Sequence, residues 1–102
     1  MAISYQQNIN LLYIQVQDSV GVDFNLQLSH TLREKVSSKT LLMLDFAKVE
    51  FFGSHLLGYI IGAYQAVGLQ ASRLKLINVS DDVLAILQSV KFDAMFDIHR
   101  SA

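Results

Sequence analysis

The chain has no cysteine, so its chemistry would have to come from histidine, serine and carboxylate side chains. That absence removes disulfides, thiolate metal sites and cysteine nucleophiles together. His30, His55 and His99 are far apart and lack the paired spacing that a zinc site needs, so each reads as an ordinary surface or half-buried imidazole. Ser54 next to His55 suggests a hydrolase pair, but neighbouring residues on a helix point in different directions and the imidazole would not reach the hydroxyl. Neither a Gly-x-x-x-x-Gly-Lys loop nor a Gly-x-Gly-x-x-Gly turn occurs, so no nucleotide cofactor is expected. With no convergent catalytic set, the chain does not read as an enzyme, and neither metal nor cofactor is implied.

Three polar positions remain. Asp45 closes an apolar run, at the carboxyl end of a strand where open α/β sheets place ligands, although a lone carboxylate there more simply organises a loop. Asn78-Val79-Ser80 matches a glycosylation acceptor, but that is without meaning in a cytosolic chain and Ser80 is better used as a helix cap. Ser54 combines a hydroxyl, a position after a loop, and a helix whose first amides and dipole lie behind it. A phosphate there would add roughly 1.5 to 2 negative charges at a helix N-terminus, where such charge is tolerated. The plain alternative is an N-cap serine with a structural role alone.

The elements that position these residues follow from periodicity. Residues 10–17 alternate, with Leu12, Ile14 and Val16 against Tyr13, Gln15 and Gln17, as a strand with one covered face does. Residues 3–7 form a weaker edge partner, joined to it by a turn at Asn8-Ile9-Asn10. Asp23 can cap a helix that ends near Ser37-Ser38, with Phe24, Leu26, Leu28, Leu32 and Val36 at helical spacing and Arg33, Glu34 and Lys35 facing water. Leu41-Leu42-Met43-Leu44 is a continuous apolar run, the mark of a central parallel strand covered on both sides.

Ser54 then caps a helix running to about Leu69, whose Gly58-x-x-x-Gly62 spacing would permit close packing on a sheet. Residues 73–77 alternate as another strand, which gives the uncovered sheet face a mixture such as Tyr13, Gln15, Arg73 and Lys75, open to solvent or to association, including with a second copy. Ser80 caps a helix with Asp81 and Asp82 in its first turn and Val83, Leu84, Ile86, Leu87 and Val90 as its apolar stripe. A last strand falls at residues 96–98. The order is β-β-α-β-α-β-α-β: an α/β fold with a mixed, mostly parallel sheet, one antiparallel edge strand, and helices largely on one face.

Composition bounds what this fold can do. A chain of 102 residues with 52% apolar content reads as a single domain over 1–102 with its own core. With 17% charged residues and a net charge of -1, it lacks the basic field that nucleic acid requires. The start, Met1-Ala2-Ile3-Ser4, does not read as a signal peptide. The apolar stretch 56–69, broken by Gln65, falls short of the roughly 18 residues of a membrane span. Direct membrane insertion is not expected, and a reducing cytoplasm is the compartment that fits.

The run from Leu42 through Asp45-Phe46-Ala47-Lys48-Val49-Glu50-Phe51-Phe52 to Gly53-Ser54-His55-Leu56-Leu57-Gly58-Tyr59 resembles the signature of the STAS domain, the family of bacterial anti-sigma-factor antagonists. There an apolar strand ends in Asp, and a short loop leads to Asp-Ser-Ser/Thr-Gly-Leu at the start of a helix. The resemblance continues through Leu74-Lys75-Leu76-Ile77-Asn78-Val79-Ser80 and Phe92-Asp93-Ala94-Met95-Phe96. It implies that Ser54 is phosphorylated by a partner serine kinase and restored by a phosphatase, and that the unphosphorylated form binds the kinase-type anti-sigma factor. Partner contacts would fall on Gly53, Ser54, His55, Leu56, Tyr59 and Asp45. Gly53 stands where the family has Asp, His55 where it has Ser or Thr, and Leu56 where it has Gly. STAS-like domains also resemble small subunits of lipid-transport ATP-binding-cassette complexes and scaffold components of stress-signalling assemblies, the alternative reading.

Overall fold

Alternating burial along the strands determines how the layers stack. The computed structural model describes residues 5–7, 10–16, 22–49 and 54–100, with backbone alone at 5–7, 22–26 and 54–56. Five strands form one sheet in chain order: β1 (Tyr5–Gln7), β2 (Leu11–Gln15), β3 (Leu41–Asp45), β4 (Leu74–Val79) and β5 (Asp97–Arg100). β1 pairs antiparallel with β2, with Gln6 opposite Tyr13. β2, β3, β4 and β5 are parallel, and one row runs Tyr13, Met43, Lys75, Asp97 across them. The crossovers are α1 (Val22–Lys35), α2 (Ser54–Ala66) and α3 (Asp81–Ser89). The expected turn at Asn8-Ile9-Asn10 falls partly, and residues 50–53 wholly, outside the described residues.

Leu12 and Ile14, Leu42 and Leu44, and Leu74 and Leu76 are fully buried, and they share a core with Leu28 and Leu32 of α1, Ile60 and Ala63 of α2, and Val83 and Leu87 of α3. The side chains between them, Tyr13, Met43 and Lys75, are half-buried on the opposite face. The expectation that both sides of the 41–44 run are covered is thereby corrected. Leu41 and Met43 are half-exposed, because sequential crossovers leave the second face of the sheet without a helix layer among the described residues.

Helix ends show where side chains and backbone share the capping work. α1 begins at Val22, so Asp23 lies inside it and not before it. α2 ends at Ala66, short of the expected Leu69, in a Schellman turn: the Leu69 amide donates to the Tyr64 carbonyl and the Gly68 amide to that of Gln65, both at 3.0 Å, with Gly68 at φ 68°. Ser80 caps α3 as its position suggests, its hydroxyl accepting from the Val83 amide at 3.2 Å.

Arg73 is not a strand residue facing the open sheet. It closes a 3-10 turn at Ala71–Arg73, and its guanidinium donates to the carbonyls of Thr40 at 2.9 Å, Val67 at 3.1 Å, and Ser37. A planar cation with five donors suits the unpaired carbonyls left where helices end. The C-terminal ends of α1 and α2 are thus tied to the entry of β3. Phe96, just before β5, packs edge-on against Tyr64 at 5.2 Å and Phe92 at 5.5 Å, joining the end of the chain to α2.

Close packing on the sheet does not explain Gly58 and Gly62. A Cβ built at either position meets no atom within 4 Å, and the buried positions of α2 are Tyr59, Ile60 and Ala63. Gly58→Ala and Gly62→Ala should therefore each stabilise the domain by about 1 kcal/mol, the helix-propensity difference alone. Thermal unfolding followed by circular dichroism should show a rise of roughly 4–8 °C for each. A lower midpoint in either variant would mean that the position is packed against something.

Candidate functional site

The carboxyl ends of the parallel strands gather around Asp45, the last residue of β3. The residue is 5% exposed, an expensive place for a charge unless donors surround it. Oδ1 accepts from the Ala47 amide and from Asn78 Nδ2, each at 2.9 Å, and Oδ2 accepts a short hydrogen bond from the Tyr13 hydroxyl. The donors come from β2, from β4 and from the turn after β3 itself. Burial alone would raise the Asp45 pKa; the hydrogen bonds from Tyr13, Asn78 and Ala47, with the nearby charge of Lys48, outweigh it and hold the carboxyl below the usual carboxylate range. Tyr13 responds in the opposite sense: burial, then the hydrogen bond and charge of Asp45, push its phenol up to about 12.

Asn78 reaches Asp45 through a break in β4. Its φ is 54°, a left-handed conformation that asparagine tolerates better than most residues, and the β4–β5 register shifts between Leu76 and Val79 around it. Its amide is engaged in this cluster and the Ser80 hydroxyl caps α3, so the glycosylation-like triplet is accounted for by structure.

Beyond Asp45 the ladder is extended by two more backbone bonds, Val16 N–H to the Asp45 carbonyl at 2.8 Å and Phe46 N–H to the Ile77 carbonyl at 3.0 Å. Phe46 and Val49 are buried and close a turn, the Val49 amide donating to the Phe46 carbonyl at 3.1 Å. α2 then begins at Ser54, with His55 and Leu56 in its first turn, so Ser54 is the first residue of the helix and not the cap before it; Gly53 lies outside the described residues. No acidic residue occupies that first turn, whereas α3 starts with Asp81 and Asp82. The positive end of the α2 dipole is therefore not neutralised from within the helix.

Of the sequence-predicted contact residues, the structure brings Ser54, His55 and Leu56 together at the head of α2 and buries two others. Tyr59 is 5% exposed in the core, where burial raises its pKa, and Asp45 is equally enclosed. Either can shape a docking surface through the helix or the loop but offers it little side chain. Tyr13 and Asn78 are the site residues that sequence reasoning missed. The signal for Asn78 was an asparagine near the end of a strand, immediately before a capped helix.

Elsewhere two histidines sit in exposed pairs, His30 with Glu34 at 3.2 Å and His99 with Asp97 at 3.0 Å. No three histidine, aspartate or glutamate side chains gather to hold a metal among the described residues. No helix among them is long and apolar enough to cross a membrane. A shallow groove of about 300 Å³ between α1 and α2, lined by Ser29, Leu32, Arg33, Gly62, Gln65 and Ala66, flanks the C-terminal half of α2, away from Ser54.

Comparison with known proteins agrees with this architecture. No curated protein matches the chain. A solved structure of an anti-sigma-factor antagonist (STAS) domain protein from Planctomyces limnophilus superposes with a TM-score of 0.78 at 17% identity, covering 100% of this chain and 92% of that one. That likeness speaks for the fold. The family model of the STAS domain matches residues 5–102, the whole run of strands and helices described above, and the chain belongs to the STAS domain family.

Proposed function

We propose that this STAS domain is a protein-binding regulatory module, an anti-sigma-factor antagonist that binds a kinase-type anti-sigma factor or a related signalling ATPase and is switched by phosphorylation of Ser54. The observation that carries this reading is the position of Ser54 as the first residue of α2, the helix that follows β3 in the chain, at a helix start with no acidic side chain of its own. A phosphate there would be favoured by the free amides of the first turn and would change the charge of the docking surface without entering the core. A phosphatase would reverse the change. The cytoplasm is the compartment in which such partners meet.

A second reading is favoured by the residues around Ser54. Gly53, His55 and Leu56 replace the acid, hydroxyl and glycine that the family signature carries, and a subunit that docks constitutively in a lipid-transport complex or stress-signalling scaffold has no need of a kinase substrate.

The test is incubation with candidate anti-sigma kinases and ATP, mapping of phosphate by mass spectrometry, and binding measurements on Ser54→Ala and Ser54→Asp. The switch predicts phosphate on Ser54 alone, retained binding by Ser54→Ala, and binding weakened by about tenfold or more in Ser54→Asp, the cost of one misplaced charge in an interface. Unmodified Ser54 together with unchanged binding by both variants would leave the constitutive subunit as the reading.

A further inference from the structure

Three unusual features converge on one carboxylate. Asp45 is a buried carboxyl that accepts from three donors, Asn78 adopts a left-handed backbone inside a strand, and the β4–β5 register breaks at the same place. Bulges and left-handed non-glycine residues weaken the element that contains them, and they collect beside functional sites where they re-aim a side chain. Here the re-aimed group is the Asn78 amide, and its target also receives the Tyr13 hydroxyl from the far side of β3. A plain sheet end would need neither donor, because the main-chain bonds of Val16 and Phe46 already join the three strands there.

What the cluster adds is a fixed exit. The remaining lone pairs of Asp45 are turned on the Ala47 amide, which sets the first step of the chain after β3; Phe46 and Val49 are then buried on either side of that step. We propose that Tyr13 and Asn78 are positioning residues for the Ser54 junction: clamped on Asp45, they fix the direction in which the chain leaves β3 and so the place at which α2 begins. This rests on the reading of Ser54 as the working position. Neither residue touches the partner. By thermodynamic reciprocity, a clamp that biases the start of α2 must itself respond when charge is placed on that start.

The experiment uses the full chain, isotope-labelled, with no partner or kinase present. Tyr13→Phe and Asn78→Gly, the second of which keeps the left-handed backbone, should each speed amide exchange at Ala47 and at the amides of the second turn of α2, Gly58 to Ile60, by about tenfold or more, as loss of a hydrogen bond to a charged group implies. Exchange at Leu87 in α3 and at Val67 should stay at the wild-type rate. The spectroscopic arm reads the reverse direction: Ser54→Asp should shift the Tyr13 ring resonance and the Ala47 amide resonance, whereas Gln65→Asp, on the same helix, should leave both in place.

Uniformly faster exchange would make the cluster a general stabiliser and overturn the proposal, as would unchanged rates at Gly58 to Ile60. Should a clamp variant fail to fold, the Ser54→Asp resonances decide, and their coincidence with wild type overturns the proposal. Since no kinase enters the experiment, its result is independent of the phosphorylation test above: coupling between Ser54→Asp and Tyr13, with Ser54 unmodified and both variants binding unchanged in that test, would retain the clamp without the switch. Phosphorylation without coupling would do the reverse.

Discussion

Asn78→Asp should cost the domain about 3 kcal/mol at pH 7, and mild acid should restore much of it. The substitution is nearly isosteric and tolerates the same left-handed backbone, so packing and strain change little. What changes is that a donor 2.9 Å from Asp45 Oδ1 becomes a second carboxylate. Two carboxylates that close cannot both stay ionised cheaply: the pair takes up a proton above the usual carboxylate range, and at pH 7 the uncompensated buried charge costs on the order of 3 kcal/mol.

The pH dependence has opposite signs in the two proteins. In the wild type the Asp45 pKa is lowered on folding, so its contribution is present above the unfolded value and is lost as pH falls through the folded one. In Asn78→Asp a raised folded pKa means that stability is lost as pH rises through it and regained on descent toward about pH 5, where wild-type Asp45 is still ionised. On the alkaline side, the Tyr13 contribution is complete below pH 10 and is lost as pH rises toward about 12. Urea unfolding of both proteins at pH 7 and pH 5 checks the crossing. A deficit that widens on acidification would show that position 78 does not face Asp45.

Leu44→Ala should be the most damaging single truncation, at about 2–5 kcal/mol of the roughly 5–15 that a domain of this size has available. Leu44 is 0% exposed and sits in mid-sheet, flanked by Ile14 on β2 and Leu76 on β4 in one row beneath the helices. Neighbours held on both sides by backbone ladders cannot collapse into the space left behind, which is why the cavity term adds to the lost burial. Leu69→Ala, the same change at a residue 59% exposed beyond α2, should stay within about 0.5 kcal/mol. Denaturant midpoints of the pair measure the contrast; a cost under about 1 kcal/mol at Leu44 would place it outside the core.

The residues with a strict period were readable from sequence, because burial on one face of a strand or helix imposes that period directly. Leu12 and Ile14 against Tyr13, and Ser80 with Asp81 and Asp82 ahead of Val83, stand where their pattern puts them. Ser54 was expected as the cap before α2, whereas the helix begins at Ser54 itself; a hydroxyl ahead of an apolar run marks a helix start only to within a residue or two. Arg73 was misplaced because alternation says nothing about where a long cation can reach, and two of the carbonyls it finds, those of Ser37 and Thr40, are distant in sequence. Gly58 and Gly62 were misread because spacing shows which residues share a helix face but not which face meets the sheet. Asp45 was visible as a polar residue closing an apolar strand, yet its partners were not. Tyr13 and Asn78 lie 32 and 33 residues away, and nothing local marks either as a donor to it.

The strands stand in the sheet in the order in which they are synthesised. A chain emerging vectorially can dock each new strand on the one before it, without waiting for a distant segment to return, and such nearest-neighbour assembly keeps loop-closure costs low. Along that schedule β3 and the Ser54 helix emerge before β4, and Asn78 is the last donor to reach Asp45. The junction therefore gains its final hydrogen bond after most of α2 could already have formed. The last strand, β5, contributes no hydrogen bond to that carboxylate; it seals the edge of a site completed one strand earlier.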